Sequence, residues 1–160
     1  MWNPFKKAPA GEDVYRPVQG AVIKLDDVPD PVFARRSMGD GFAVEPTDGT
    51  FSSPVDGELI LVAKTLHAFA VRTPAGAEVL VHIGIDTVGL KGAGFTALRQ
   101  QGDTVRVGDP VIRVDLAAVS GQVPSMATPV IVTNGKKFTI GEPELGAAEG
   151  GVVATITPAK

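Results

Sequence analysis

Runs of about five to eight apolar residues, rich in valine and isoleucine, recur along this chain and are broken by glycine and proline. Runs this short suit strands better than amphipathic helices, and β-branched side chains pack well on a pleated surface. Nineteen glycines and thirteen prolines, without low-complexity repetition, supply the turns. Strands are expected over 18–25, 41–45, 57–63, 67–73, 78–85, 104–107, 110–115, 128–133 and 152–157. At that spacing they predict an all-β fold, a β-sandwich or barrel with short helical turns. Helix is expected in two places, over 94–102 between glycines and as a single turn over 116–120.

The segment Arg16-Pro17-Val18-Gln19-Gly20-Ala21-Val22-Ile23-Lys24-Leu25 repeats faintly as Ser53-Pro54-Val55-Asp56-Gly57-Glu58-Leu59-Ile60-Leu61-Val62. Proline, valine, glycine and isoleucine coincide in register, so each copy reads as a turn feeding a strand. Two similar halves are the expected architecture. A chain of 160 residues can bury one substantial core. Residues 1–13 read as a flexible amino-terminal tail and 14–160 as a single domain. Nothing in the sequence resembles an interdomain linker.

A net charge of −3 argues against a nucleic-acid partner, which selects a basic surface. With no cysteine, disulfides, thiolate metal sites and thiol nucleophiles are excluded. Met1-Trp2-Asn3-Pro4-Phe5-Lys6-Lys7 is followed by no apolar core of a secretory signal, and no run approaches a membrane span. Trp2, Phe5 and the lysines could touch a membrane surface weakly, but a solvated tail is the simpler reading. The expected setting is cytoplasmic, without stable membrane insertion.

The most informative run is Val79-Leu80-Val81-His82-Ile83-Gly84-Ile85-Asp86-Thr87. Strand alternation assigns Val79, Val81, Ile83 and Ile85 to a core face and Leu80, His82, Gly84 and Asp86 to the other. On that second face His82 sits beside a residue without a side chain, open to approach. The only other histidine, His67, lies in Lys64-Thr65-Leu66-His67-Ala68-Phe69-Ala70-Val71. The turn signals of Thr73-Pro74-Ala75-Gly76-Ala77-Glu78 join the two runs as an antiparallel hairpin. An even-length loop puts His67 and His82 on one face. A Pro74-Ala75 loop sets them directly opposite, with Cβ atoms about 4.5–5.5 Å apart, and an Ala75-Gly76 loop sets them diagonally at roughly 7 Å. An odd loop or a bulge would separate them.

Thr65 is a β-former by composition, but on the same face its hydroxyl could fix the His67 tautomer. Asp86 either caps the turn or belongs to the site. Structural zinc takes four protein ligands and catalytic zinc three, so the two histidines would need a carboxylate to complete a set. No nucleophile elbow and no phosphate-cradling loop is present. What remains is an imidazole nucleophile with a second imidazole to stabilise the transferred group.

These residues resemble the glucose-family IIA component of the bacterial phosphoenolpyruvate-dependent sugar phosphotransferase system. The resemblance is carried by Pro17-Val18-x-Gly20, Asp27-Val28-Pro29-Asp30-Pro31-Val32-Phe33, Met38-Gly39-Asp40-Gly41 and Ala43-Val44-x-Pro46. Further stretches are Pro54-Val55-Asp56-Gly57, His67-Ala68-Phe69, Val81 to Gly92, Gly94-Phe95 and Val107-Gly108-Asp109. The resemblance implies a β-sandwich of two similar halves, formed by residues 14–160 as one domain of this type. It implies a phosphotransferase component without a required cofactor, in which His82 is phosphorylated by the carrier protein HPr and passes the group to the IIB domain of a sugar permease. By the same resemblance His67 hydrogen-bonds the phosphoryl group, Thr65 orients His67, and Asp30 and Asp86 flank the site.

Val32, Phe33, Met38, Phe69, Leu80 and Val88 are the candidate docking residues. Ala63 and Leu80 stand where relatives often carry aromatics, and Gly89 and Arg72 where they often carry acids. His67 and His82 are also possible ligands of a regulatory or adventitious zinc ion. The chain is expected to be a monomer. Competing readings are a zinc-dependent hydrolase and a purely regulatory binding module on the same scaffold. The Gly-Asp turns of 102–110 also resemble those of biotinyl and lipoyl carriers, but no modifiable lysine sits in the matching hairpin.

Overall fold

The computed structural model describes residues 11–159. Its thirteen strands are β1 (Glu12–Tyr15), β2 (Gly20–Lys24), β3 (Asp40–Pro46), β4 (Thr50–Ser52), β5 (Gly57–Val62), β6 (Ala68–Arg72) and β7 (Glu78–His82), followed by β8 (Phe95–Ala97), β9 (Thr104–Val105), β10 (Pro110–Val114), β11 (Thr128–Val132), β12 (Phe138–Ile140) and β13 (Val152–Pro158). Two short α-helices, α1 (Pro31–Ala34) and α2 (Leu116–Ser120), and 3-10 turns at Leu25–Asp27 and Thr87–Leu90 complete the secondary structure. A seven-stranded sheet runs β2-β3-β11-β7-β6-β5-β9, and two three-stranded sheets run β1-β13-β12 and β4-β10-β8.

The alternation of the long sheet explains how these parts close. Phe42 and Val44 of β3, Phe69 and Val71 of β6, Val79 and Val81 of β7, and Val130 and Val132 of β11 point inward. There they meet Val14, Phe51, Ile112, Ile140 and Ile156 from the small sheets. The fold is therefore the expected all-β sandwich. The residues between them in sequence, Ala43, Ala68, Ala70, Leu80 and Ile131, face outward and are buried too. Leu25, Val28 and Phe33 cover that outer face. The segment from Leu25 to Ala34 thus forms a strap across the sheet, and the small alanines beneath it let it lie close.

The repeat has a structural counterpart. Gly20 begins β2 against β3, and Gly57 begins β5 against β6. A Cβ at Gly20 would stand 2.0 Å from the Glu45 carbonyl oxygen, and one at Gly57 would stand 2.0 Å from that of Arg72. Neither position admits a side chain. The residue preceding each copy bonds the proline of the other, through Tyr15 N–H to the Pro54 carbonyl at 2.9 Å and Ser52 N–H to the Pro17 carbonyl at 2.6 Å.

Several expectations are corrected. The helix proposed over 94–102 is not formed, because Phe95–Ala97 pairs antiparallel with β10 and buries Phe95 in the core. Strands β1, β4 and β12 were not anticipated, being short and, in β1, largely polar. The tail boundary after residue 13 falls inside β1, where Glu12 and Asp13 pair with Ile156 and Thr155. The first ten residues of that tail lie outside the described residues. The helical turn over 116–120 is present, capped by Asp115 Oδ1 accepting from Ala118 N at 3.2 Å.

Phe69 also moves from one role to another. It is 0% exposed and packed in the main core, so no partner can touch it. Phe69→Ala is expected to cost about 3–5 kcal/mol, seen as a lower denaturant midpoint. Val32→Ala on the exposed strap is expected to stay within about 0.5 kcal/mol of the parent.

Candidate functional site

The hairpin is formed, but in a register that the loop rule did not favour. Arg72 pairs with Glu78 and Ala68 with His82, which leaves the five residues 73–77 as the loop. An odd loop should separate His67 from His82, yet their ring centroids are 5.2 Å apart, edge to face at 75°. The reason lies one residue earlier. β6 starts at Ala68, and Leu66 adopts φ 62°, so His67 leaves a tight turn rather than a strand. Side-chain alternation does not govern it. The turn is tied by Leu66 N–H to the Ala63 carbonyl and by Ile83 N–H to the His67 carbonyl at 2.7 Å.

The alternation in the His82 strand stops at Gly84. Val79, Val81 and Ile83 enter the main core as expected, but Ile85 belongs to the outer cluster beneath the strap. Gly84 has φ 72°, and a Cβ there would meet Thr87 Cγ2 at 2.8 Å and Met126 Sδ at 3.1 Å. It is therefore no open clearance for an approaching molecule. The site needs this glycine for its backbone: His82 Nδ1 lies 2.7 Å from the Gly84 carbonyl oxygen. A carbonyl only accepts, so Nδ1 carries the proton and Nε2 of the neutral ring keeps its lone pair.

Three further groups frame the ring. Phe33, expected on the docking surface, is buried, with its centroid 5.0 Å from that of His82. It walls the imidazole and does not rim a patch. Asp30 caps α1 by accepting from Val32 N at 2.8 Å. Asp86, whose charge also acts on His82, is exposed and left-handed, at φ 60°. Thr65 Oγ1 lies 2.6 Å from His67 Nδ1, and when the hydroxyl donates, the proton of the neutral ring sits on Nε2.

Exposure separates the docking candidates. Val32 (45%), Met38 (42%) and Val88 (53%) are exposed, whereas Leu80 is buried in the cluster under the strap. Arg36, not anticipated from sequence, binds Asp26 and Asp40 at 2.8 Å each and so fastens the strap to β3. The guanidinium hydrogen bond holds the Asp26 carboxyl below its usual range. Arg72 is paired with Glu78 at 3.1 Å, at the far end of the hairpin from the histidines. Among the described residues no cluster of three or more histidine or acidic side chains is disposed to hold a metal ion, and none of their helices is long and apolar enough to cross a membrane.

Burial pushes the His82 imidazole below its ordinary value near 6.5, against the Gly84 carbonyl and the Asp30 and Asp86 charges, which push upward. His67 is lowered by burial and then by the charge of His82. Both rings are therefore mostly neutral at pH 7. The unfolded chain binds protons more tightly, so the stability these rings contribute is complete above about pH 6.5 and is lost as pH falls through the folded values. Histidine NMR titration should place both rings below the ordinary value, and Asp30→Asn should lower His82 further. An unchanged value in that variant would show that Asp30 does not act on the ring.

The geometry can be set beside known proteins. The family model of the phosphoenolpyruvate-dependent sugar phosphotransferase system, EIIA 1, matches residues 12–138. A PTS system glucose-specific EIIA component from Halalkalibacterium halodurans is 49% identical over 127 residues, which cover 79% of this chain and 73% of that one. Its counterpart from Staphylococcus epidermidis is 45% identical over 134 residues, covering 84% and 81%. The solved structure of glucose permease IIA from Mycoplasma capricolum is 42% identical with a TM-score of 0.86, covering 97% of this chain and 99% of that one. The chain therefore belongs to the EIIA 1 family of the phosphoenolpyruvate-dependent sugar phosphotransferase system.

Proposed function

We propose that this chain is a phosphocarrier of a glucose-type sugar uptake system, with His82 as the residue that carries the phosphoryl group. The observation that supports this most directly is the His82 Nδ1–H bond to the Gly84 carbonyl, which leaves Nε2 unprotonated and free to attack. A neutral imidazole is nucleophilic without a separate base. In the transfer, the lone pair of Nε2 forms a bond to phosphorus as the phosphorus–nitrogen bond to the HPr histidine breaks. The reverse displacement, by a cysteine thiolate of a IIB domain, returns Nε2 to its starting state. No proton has to leave His82 in either step.

His67 acts as the stabilising group. With Thr65 donating to Nδ1, its Nε2–H is available to hydrogen-bond a phosphoryl oxygen. Asp30 and Asp86 place negative charge beside a phosphoryl dianion, which disfavours its retention and favours onward transfer. Val32, Met38 and Val88 offer an apolar contact surface to both partners in turn. The zinc-hydrolase reading fares worse, since the two histidines leave a catalytic zinc one protein ligand short. The functional unit is one domain beginning at β1, cytoplasmic and monomeric, with no cofactor of its own.

Incubation with phosphoenolpyruvate, enzyme I and HPr should give an acid-labile, base-stable phosphoprotein. His82→Ala should abolish the label. His67→Gln should be labelled yet fail to pass the group onward, and normal transfer in that variant would refute its role. Asp86→Asn should raise the equilibrium fraction of phosphoprotein by about two- to fivefold, the effect of one exposed charge. An unchanged equilibrium constant would remove Asp86 from the mechanism.

A further inference from the structure

Among the described residues four polar side chains are fully or almost fully buried: Ser53, Thr73, Thr87 and Thr128. Two of them grip a single peptide unit beside His82. Thr87 Oγ1 donates to the Ile83 carbonyl at 2.6 Å, and Thr128 Oγ1 accepts from the Gly84 N–H at 3.4 Å while donating to the Met126 carbonyl at 2.9 Å. The next peptide unit is also held at both ends. Its carbonyl, that of Gly84, takes the His82 Nδ1 proton, and its N–H, that of Ile85, donates to the Ser125 carbonyl at 2.9 Å.

Gly84 joins these two planes, and a glycine leaves their relative rotation free. The orientation of the carbonyl that His82 uses must therefore be fixed from outside. Strand β11 is buried throughout its length, and Thr128 is its one hydroxyl among Pro129, Val130, Ile131 and Val132. Packing alone would accept valine there, which has the same shape. Valine would leave the Gly84 N–H without its partner in a dry surrounding, and a rotated Gly84 would relieve that.

We propose that Thr128 is a positioning residue: it holds the peptide plane before Gly84 as the Ile85–Ser125 bond holds the plane after it, and the two together keep the Gly84 carbonyl on His82 Nδ1 and Nε2 as the reactive nitrogen. This rests on the reading of His82 as the phosphoryl acceptor. The test pairs Thr128→Val, which keeps volume and loses the hydroxyl, with Thr128→Ser, which keeps the hydroxyl and loses a methyl.

Nitrogen-15 NMR of the unphosphorylated, histidine-labelled protein reads the His82 tautomer directly. The parent should hold the proton on Nδ1. Thr128→Val should move a measurable fraction to Nε2 and slow phosphoryl acceptance from HPr by about tenfold, the effect of one lost hydrogen bond. Thr128→Ser should restore both. A parent-like tautomer and rate in Thr128→Val would overturn the proposal, as would a serine variant impaired like the valine one, because that marks a packing role. Thr128→Cys, with a weaker acceptor of similar size, repeats the measurement should the valine variant not fold. A parent protein that phospho-HPr leaves unlabelled would defeat the functional reading alone, since the NMR arm reads the tautomer independently.

Discussion

A sheet that is apolar on both faces has to be covered twice, and this requirement shapes the molecule. The inner face of the seven-stranded sheet is covered by the two small sheets, which bury Phe42, Phe69, Val81 and their neighbours. The outer face carries Ala43, Ala68, Ala70, Leu80 and Ile131, and the strap from Leu25 to Ala34 lies over it. Covering the outer face is what brings Phe33 against the His82 ring and Asp30 beside it. The burial that lowers the proton affinity of His82 thus follows from sealing a hydrophobic sheet. Val32 within the strap and Met38 beyond its end remain exposed.

The site also shows which of two opposed effects prevails. Two carboxylates near an imidazole favour its protonated form, and burial disfavours it. Here burial wins for His82, so the negative charges stay without forming an imidazolium pair. The balance matters for the proposed chemistry. A protonated ring has no free nitrogen, while a ring without nearby carboxylates would meet a phosphoryl group in a field that retains it. Neutral nucleophile and negative surroundings coexist because desolvation acts on the ring, whereas Asp86 stays exposed to water.

Much of this was legible in the sequence, for identifiable reasons. The sandwich was readable because Phe42, Val44, Val79, Val81, Val130 and Val132 keep a strict two-residue period over buried strands. The repeat was readable because Gly20 and Gly57 each lie against a carbonyl that no side chain could tolerate. The pairing of His67 with His82 was anticipated through loop parity, and the pairing stands while the parity does not. Periodicity describes residues inside strands, and His67 stands just outside one, after Leu66 in a left-handed turn. Phe69 shows the same limit in reverse: a place beside the site in sequence does not place a side chain on its surface. Phe95 pairs with β10 through contacts distant in sequence, which no local pattern around Gly94 could reveal.

The residues that sequence reasoning passed over share one property, which is that they act through backbone. Thr87 and Thr128 are ordinary turn and strand residues by composition, and Gly84 reads from sequence as open space beside His82. Their importance comes from where two peptide planes must point, and one-dimensional patterns carry no information about peptide orientation. In the proposed role of His82 such an arrangement is an advantage, because the ring geometry would be the same before and after each transfer. Side-chain partners on long stems would reorganise with every change of charge. A carbonyl whose peptide plane is hydrogen-bonded at both ends, next to a second plane held by two buried hydroxyls, has little freedom to do so. The rigidity of the sheet is in this way passed to a single nitrogen atom of His82.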